Sequence, residues 1–217
     1  MNKTFSAHML KTFVECPKKY KLMYENGLSI PQNKKAAEEG KKIHALINYS
    51  LQGFNTTKLS ETLSQNENEM WKNFVELDIK KSDLFASEYG FNVKLDTYWL
   101  NGRIDAIIKK EDNYTIYDWK TGKSPKNFEK DLQTAVYLTS FYEILRYKKL
   151  IIAPQQLSFI YYNLSNNSFD KIIFSDELKG EYYSLITGII TNIEDNNYLK
   201  KEIAKTCQKC NFEILCR

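Results

Sequence analysis

Asp118-Trp119-Lys120 closes a run of β-branched and aromatic residues, Tyr114 to Lys120, and this short acidic–lysine step constrains the chain more than any other feature. In a strand, side chains at i and i+2 share a face. Asp118 and Lys120 therefore project together, and Trp119 points to the opposite, packed side. Thirteen positions earlier stands Asp105, at the end of Gly102-Arg-Ile-Asp105. Arg103 to Lys109 reads as the adjoining strand and Lys110 to Asn113 as the polar turn between the two. That turn can bring both carboxylates within a few ångströms of each other. Two carboxylates and a lysine on one face of a central sheet are costly to bury without a compensating ion. A hard divalent cation meets that cost, because Mg²⁺ takes one or two carboxylates and leaves the rest of its shell to water and phosphate.

The surrounding pattern frames this pair of strands. Ser6 to Asn26 has helical spacing at Leu10, Phe13, Val14, Tyr20 and Tyr24, with a kink expected at Cys16-Pro17 because proline disfavours helical geometry in the preceding residue. Ala36 to Leu51 reads as a helix with Ile43, Leu46 and Ile47 on one side and His44 beside them, and Leu59 to Ile79 as one or two more helices. Ser87 to Leu95 and Thr97 to Leu100 are strand-like, and Asn101-Gly102 is a two-residue hairpin signal. Phe128 to Lys148 is an amphipathic helix. Gln156 to Asn163 and Phe169 to Phe174 form a further strand pair, and Asp176 to Tyr198 a last helix. The order predicts an α/β fold, a mixed central sheet flanked by helices. With no linker-like tract, residues 1–217 read as one domain carrying a helical insertion at about 52–79.

Charge and cysteines narrow the function. The chain carries 31 basic and 27 acidic residues, a net charge of +4 that is compatible with a polyanionic partner without demanding one. Basic residues gather at Lys18, Lys19 and Lys21, at Lys120, Lys123, Lys126 and Lys130, and at Arg146, Lys148 and Lys149. No run approaches the ~20 apolar residues of a membrane span, and Met1 to Leu10 lacks the apolar core of a secretory signal. A cytoplasmic, reducing location is expected. There, Cys16 with the C-x2-C-x5-C run Cys207, Cys210 and Cys216 points to metal rather than disulfides. By spacing alone, zinc and an iron–sulfur cluster are both open.

The acidic–lysine step resembles the signature of the PD-(D/E)XK nuclease superfamily. Gly102 to Asp105 is similar to the Gly-X-X-Asp of its RecB-like and Cas4-like branch, Gly40-Lys-Lys-Ile-His44 to that branch's upstream histidine, and Gln133 and Tyr137 to its Gln–Tyr pair, one helical turn apart. The resemblance implies a restriction-endonuclease-like fold and a Mg²⁺- or Mn²⁺-dependent DNA nuclease, an exonuclease on ends or single strands in repair or recombination. It further implies that His44, Asp105, Asp118 and the Trp119 carbonyl hold the metal. Lys120 would orient the attacking water, with Gln133 and Tyr137 positioning phosphate. Cys16-Pro17-Lys-Lys-Tyr20 and the C-terminal cysteines resemble the AddB-type staple, which implies that Cys16, Cys207, Cys210 and Cys216 hold a [4Fe–4S] cluster joining the two ends. A Cas4-like role in CRISPR adaptation and a non-catalytic nucleic-acid-binding module are the alternatives. With no G-x-x-x-x-G-K-[ST] phosphate loop in this sequence, ATP-driven unwinding needs a helicase partner. Tyr98, Trp99 and Phe128 are candidate base-stacking surfaces.

Overall fold

One strand organises the sheet. In the computed structural model, which describes residues 3–29, 34–150, 153–195, 197–198, 207–208 and 210–216 (the side chains of 34–37 excepted), β3 (Tyr98–Lys110) is the longest strand. Along one edge it pairs antiparallel with β2 (Leu84–Leu95) over its length. Its other edge is divided. The parallel strand β1 (Thr4–Ser6) meets Trp99 to Asn101, and the antiparallel β4 (Asn113–Lys120) meets Ala106 to Lys110. Between these two partners Gly102 to Asp105 has no strand neighbour on that edge among the described residues, so the sheet forks there. Parallel to β4 runs β5 (Leu157–Asn163), followed by the antiparallel β6 (Ser168–Ile173), giving a six-stranded mixed sheet. The expected α/β class holds, and β1 is an addition that three residues of sequence did not signal.

The hairpin turn lies elsewhere than Asn101-Gly102. β2 and β3 are joined at Asp96-Thr97, where Asp96 takes φ +56°; aspartate tolerates this left-handed conformation better than most side chains. Asn101 and Gly102 sit inside β3. Gly102 is there for closeness, since a Cβ on it would lie 2.6 Å from Phe91 Cζ and 3.1 Å from Tyr137 Cε1. The aromatic rings that fill the fork leave room only for hydrogen.

Helices cover both faces. On one side α1 (Ala7–Glu15), α6 (Leu132–Tyr147) and α7 (Asp176–Glu194) bury Leu10, Val136, Phe141, Ile186 and Ile190 against Ile107, Ile116, Phe159 and Tyr161. On the other, α3 (Lys34–Leu51) and α5 (Gln65–Val75) bury Ile43, Ile47, Met70 and Phe74 against Ala106, Trp119 and Tyr162. Each such side chain contributes roughly 1.5–3 kcal/mol relative to exposure. The short α2 (Pro17–Tyr20) and α4 (Thr57–Ser60) complete the set. Cys16, at φ −162°, breaks α1 from α2 as proline after it requires. No helix among the described residues is long and apolar enough to cross a membrane.

The start of α6 matters for the site. The sequence pattern suggests Phe128, yet the helix begins at Leu132 because the Asp131 side chain accepts the Gln133 N–H at 2.8 Å and caps it. Asp131 also receives Lys11 Nζ at 2.9 Å and the Tyr161 hydroxyl at 3.3 Å. These bonds tie the N-terminal turn of α6 to α1 and β5, and fix where Gln133 sits.

Candidate functional site

A row of three carboxylates crosses the sheet at the fork. The β3–β4 register ends at Ala106↔Tyr117, and one further step sets Asp105 opposite Asp118. On the other edge, Ser87↔Ala106 and Tyr89↔Ile104 bracket Glu88, which falls opposite Asp105. Directly opposed residues on neighbouring strands lie close enough to interact, and like charges so placed are unfavourable without a cation.

Trp119 shows why the ladder stops. Its N–H donates at 2.9 Å to Asp105 Oδ2 instead of to a main-chain carbonyl. An extended residue's N–H and C=O point to the same flank, so the Trp119 carbonyl also faces the Asp105 side. The Trp119 ring, 2% exposed, packs with Phe74 and Tyr162 under α3 and α5. Asp118 and Lys120 consequently project to the α6 face, as the i, i+2 rule requires.

On that face the geometry is tight. Lys120 Nζ lies 2.8 Å from Asp118 Oδ2, 3.1 Å from Gln133 Oε1 and 5.0 Å over the Tyr161 ring. Gln133 Nε2 donates to Asp118 Oδ1. Tyr137, one turn further on, bonds to Gln133 and to the main chain of Arg103. Burial, then the charges of Asp118 and Asp105, push its hydroxyl up to about 12, which keeps the phenol neutral. On the opposite side His44 reaches Asp105 from α3, Nδ1 to Oδ2 at 3.5 Å. Burial opposes the charged imidazole, but the Asp105 hydrogen bond and the charges of Asp105, Asp118 and Glu88 hold its pKa above the ordinary value.

The donor set suits a divalent cation. One ligand atom each from His44, Glu88 and Asp105 lie within 4.8 Å of one another, and no other such group forms among the described residues. Asp118 stands beside this trio. Its Oδ2 is buried, with the Lys120 ammonium 2.8 Å away. Burial, reinforced by Asp105, pushes the Asp118 carboxyl up to about 6. The sequence-derived residues His44, Asp105, Asp118, Trp119, Lys120, Gln133 and Tyr137 thus gather at one fork, divided between a His44–Asp105 side and an Asp118–Lys120–Gln133 side.

Glu88 went unread in the sequence. Its ordinary setting in a strand-like run gives little sign, but the fold gives two. Its backbone takes φ +47°, a left-handed conformation costing about 1–3 kcal/mol for such a residue. Its carboxylate pairs with Arg103 Nε at 2.8 Å, while burial raises its pKa against the influence of Arg103.

Other expectations land differently. Tyr98 packs on Phe5 and bonds Glu194, and Phe128 packs against the main core, so neither presents a free face at the fork. Several of the basic residues have local partners: Lys19 pairs with Glu15, Lys21 lies over Tyr198, Arg146 pairs with Glu143 and Lys148 lies over Tyr89. The four cysteines do not assemble a cage. Among the described residues no three of them bring sulfurs within 4.8 Å of one another, whereas tetrahedral zinc at about 2.3 Å per thiolate requires roughly 3.8 Å. The zinc site is not formed in this geometry.

A mixed sheet forked around carboxylates and a lysine, with helices on both faces, is the arrangement of a restriction-endonuclease-like fold. The chain matches the PD-(D/E)XK nuclease superfamily over residues 4–88 and 68–217, and it belongs to that superfamily. Among solved structures it is similar to a candidate exonuclease from Eubacterium rectale, at 15% identity and a TM-score of 0.61, covering 99% of this chain and 88% of the other. It is also similar to the protein SSO0001, at 16% identity and a TM-score of 0.50, covering 100% and 86%. No curated protein sequence matches it.

Proposed function

We infer that the protein is a divalent-metal-dependent DNA nuclease that hydrolyses phosphodiester bonds at ends or in single strands. The observation that carries this reading is the fork, where His44, Glu88 and Asp105 offer ligand atoms within 4.8 Å of one another beside the buried Asp118–Lys120 pair. His44, Glu88, Asp105, Asp118 and the Trp119 carbonyl would hold Mg²⁺ or Mn²⁺. The ion, when bound, supplies a water acidic enough to attack and a Lewis acid beside the phosphate. Lys120 orients the attacking water and offsets charge on the phosphate oxygens. Gln133 keeps the ammonium and Asp118 in register, and neutral Tyr137 donates a hydrogen bond near the phosphate.

The expected result is cleavage of end-labelled DNA in Mg²⁺ or Mn²⁺ and none in EDTA, with single strands cut faster than duplex. Cleavage undiminished by EDTA would remove the metal from the mechanism. Membership of the RecB-like and Cas4-like branch rests on Gly102 to Asp105, His44 and the Gln133–Tyr137 pair. A repair or recombination role, alone or with a helicase, follows from that branch.

A metal at the cysteines is a separate proposal. Its support is the C-x2-C-x5-C spacing, the tight turn in which the Cys210 N–H donates to the Cys207 carbonyl at 3.0 Å, and the stacking of Tyr198 on Tyr20, four residues past Cys16. Among the described residues no three of the sulfurs lie within 4.8 Å of one another, as a single zinc ion would need. A cluster spreads its thiolates over several irons, so a [4Fe–4S] staple asks for less convergence than zinc does. Anaerobically purified protein is expected to be brown and to contain iron. Colourless protein with stoichiometric zinc, or with no metal at these cysteines, overturns the cluster.

A further inference from the structure

We propose that the groove beside the metal-ligating trio is a nucleotide subsite, in which Tyr49 stacks on the base next to the scissile phosphate and Arg103 binds a flanking phosphate. The inference rests on the nuclease reading and locates the substrate strand on it.

The groove, about 600 Å³ and open to solvent, lies between α3 and the β2–β3 edge. That volume is within the range of about 300–1,000 Å³ typical of ligand sites. Its lining includes His44 and Glu88 of the trio, Asn48 and Tyr49 further along α3, and Lys41 and Arg103. Helical periodicity explains the lining. Ile43, Leu46, Ile47 and Leu51 form the buried stripe of α3, leaving Lys41, Ala45, Asn48 and Tyr49 on the open side. Five residues of helix separate His44 from Tyr49, about 7–8 Å along the axis, roughly the reach of one extended nucleotide.

Tyr49 is held ready. The end of α3 closes with the Gly53 N–H on the Ser50 carbonyl at 2.9 Å and the Phe54 N–H on the Tyr49 carbonyl at 3.0 Å, with Gly53 at φ +81°. This helix stop commonly brings apolar contact between the two outer residues, and Phe54 meets the Tyr49 ring edge-on at 6.0 Å. The helix stop accounts for that contact. It does not account for a Tyr49 ring left 45% exposed in the lining of a groove bordered by cations. A rigid, exposed aromatic face is what a base stacks on, whatever its identity. Arg103, 70% exposed, pairs through its Nε with Glu88 and lines the same groove. When a metal engages Glu88, that pairing loosens and phosphate is the natural replacement.

The test uses the full-length protein, a short fluorescein-labelled oligodeoxythymidylate with Ca²⁺ replacing Mg²⁺, and the same strand built from abasic sites. Tyr49→Leu keeps the apolar contact at the helix end and removes the aromatic face; Tyr49→Trp restores it. Tyr49→Leu is expected to weaken binding of the base-bearing strand by about 5- to 150-fold, with Tm unchanged, Tyr49→Trp to bind like wild type, and neither to alter abasic binding. Arg103→Gln is expected to weaken both strands alike. If Tyr49→Leu binds within twofold of wild type, or is weakened equally on the abasic strand while wild type still cleaves DNA in Mg²⁺, the subsite is overturned alone. Wild type that neither binds nor cleaves overturns the nuclease reading and the subsite together.

Discussion

Lys120→Ala is expected to lower the rate of DNA cleavage by about 100- to 1,000-fold, the loss that follows removal of one preorganised charge-stabilising donor. Lys120 Nζ is anchored from three sides, by Asp118, by Gln133 Oε1 and by the Tyr161 ring, so little reorganisation is needed when charge develops on a phosphate beside it. The deficit belongs in kcat, with DNA binding changed far less, because the ammonium is mostly buried and is one of many cations a strand meets. Lys120→Arg is not a conservative control, since a planar guanidinium cannot occupy the same point between Gln133 and Tyr161. The alanine variant is also expected to be less stable without metal, because it leaves the Asp118 carboxylate buried without its cation. Single-turnover cleavage with Tm measured in parallel checks both. Cleavage within tenfold of wild type would take Lys120 out of the chemistry.

Much of this site was legible in the residues. Strand alternation alone placed Asp118 and Lys120 on one face and Trp119 on the other, and helical spacing put Gln133 and Tyr137 together. Family resemblance added His44, whose position on an earlier helix no local pattern could tie to Asp105. What the sequence did not show has physical causes. Asn101-Gly102 looks like a hairpin turn because local preference favours it, but long-range packing of Phe91 and Tyr137 at the fork uses the same glycine for clearance. The turn fell to Asp96, where a single left-handed aspartate suffices. Glu88 stayed hidden because its importance comes from register: it faces Asp105 only once β2 and β3 are aligned. Tyr49 was missed for a related reason, since its exposure depends on where β2 lies against α3. The fork itself depends on β1, a three-residue strand from the start of the chain pairing with residues nearly a hundred positions away.

Asp118→Asn separates a functional charge from a structural one, because it should abolish cleavage and yet make the metal-free protein more stable at neutral pH. The wild-type carboxyl is pushed up to about 6, chiefly by burial and then by Asp105 against the help of Lys120 and His44. An unfolded aspartate titrates near 3.9. Below about pH 4 the group is protonated in both states and carries no penalty. As pH rises from about 4 to above 6 the folded state holds the proton longer than the unfolded state, so metal-free stability falls across that window and stays reduced above it. The full shift corresponds to about 3 kcal/mol. Part of the gain in the variant is offset because Lys120 loses its charged partner and keeps only Gln133 and the Tyr161 ring. A net stabilisation of about 1–2 kcal/mol remains, about 2–8 °C in Tm for a chain of this size. In wild type Mg²⁺ should recover the deficit by binding the folded state alone, whereas the asparagine variant should gain little from it. Thermal unfolding at pH 5 and pH 8, in EDTA and in Mg²⁺, reads all of this. An Asp118→Asn protein less stable than wild type at pH 8 in EDTA would mean that the carboxylate is held by its Lys120 partner rather than strained for an ion, and the fork would lose its strongest claim to one.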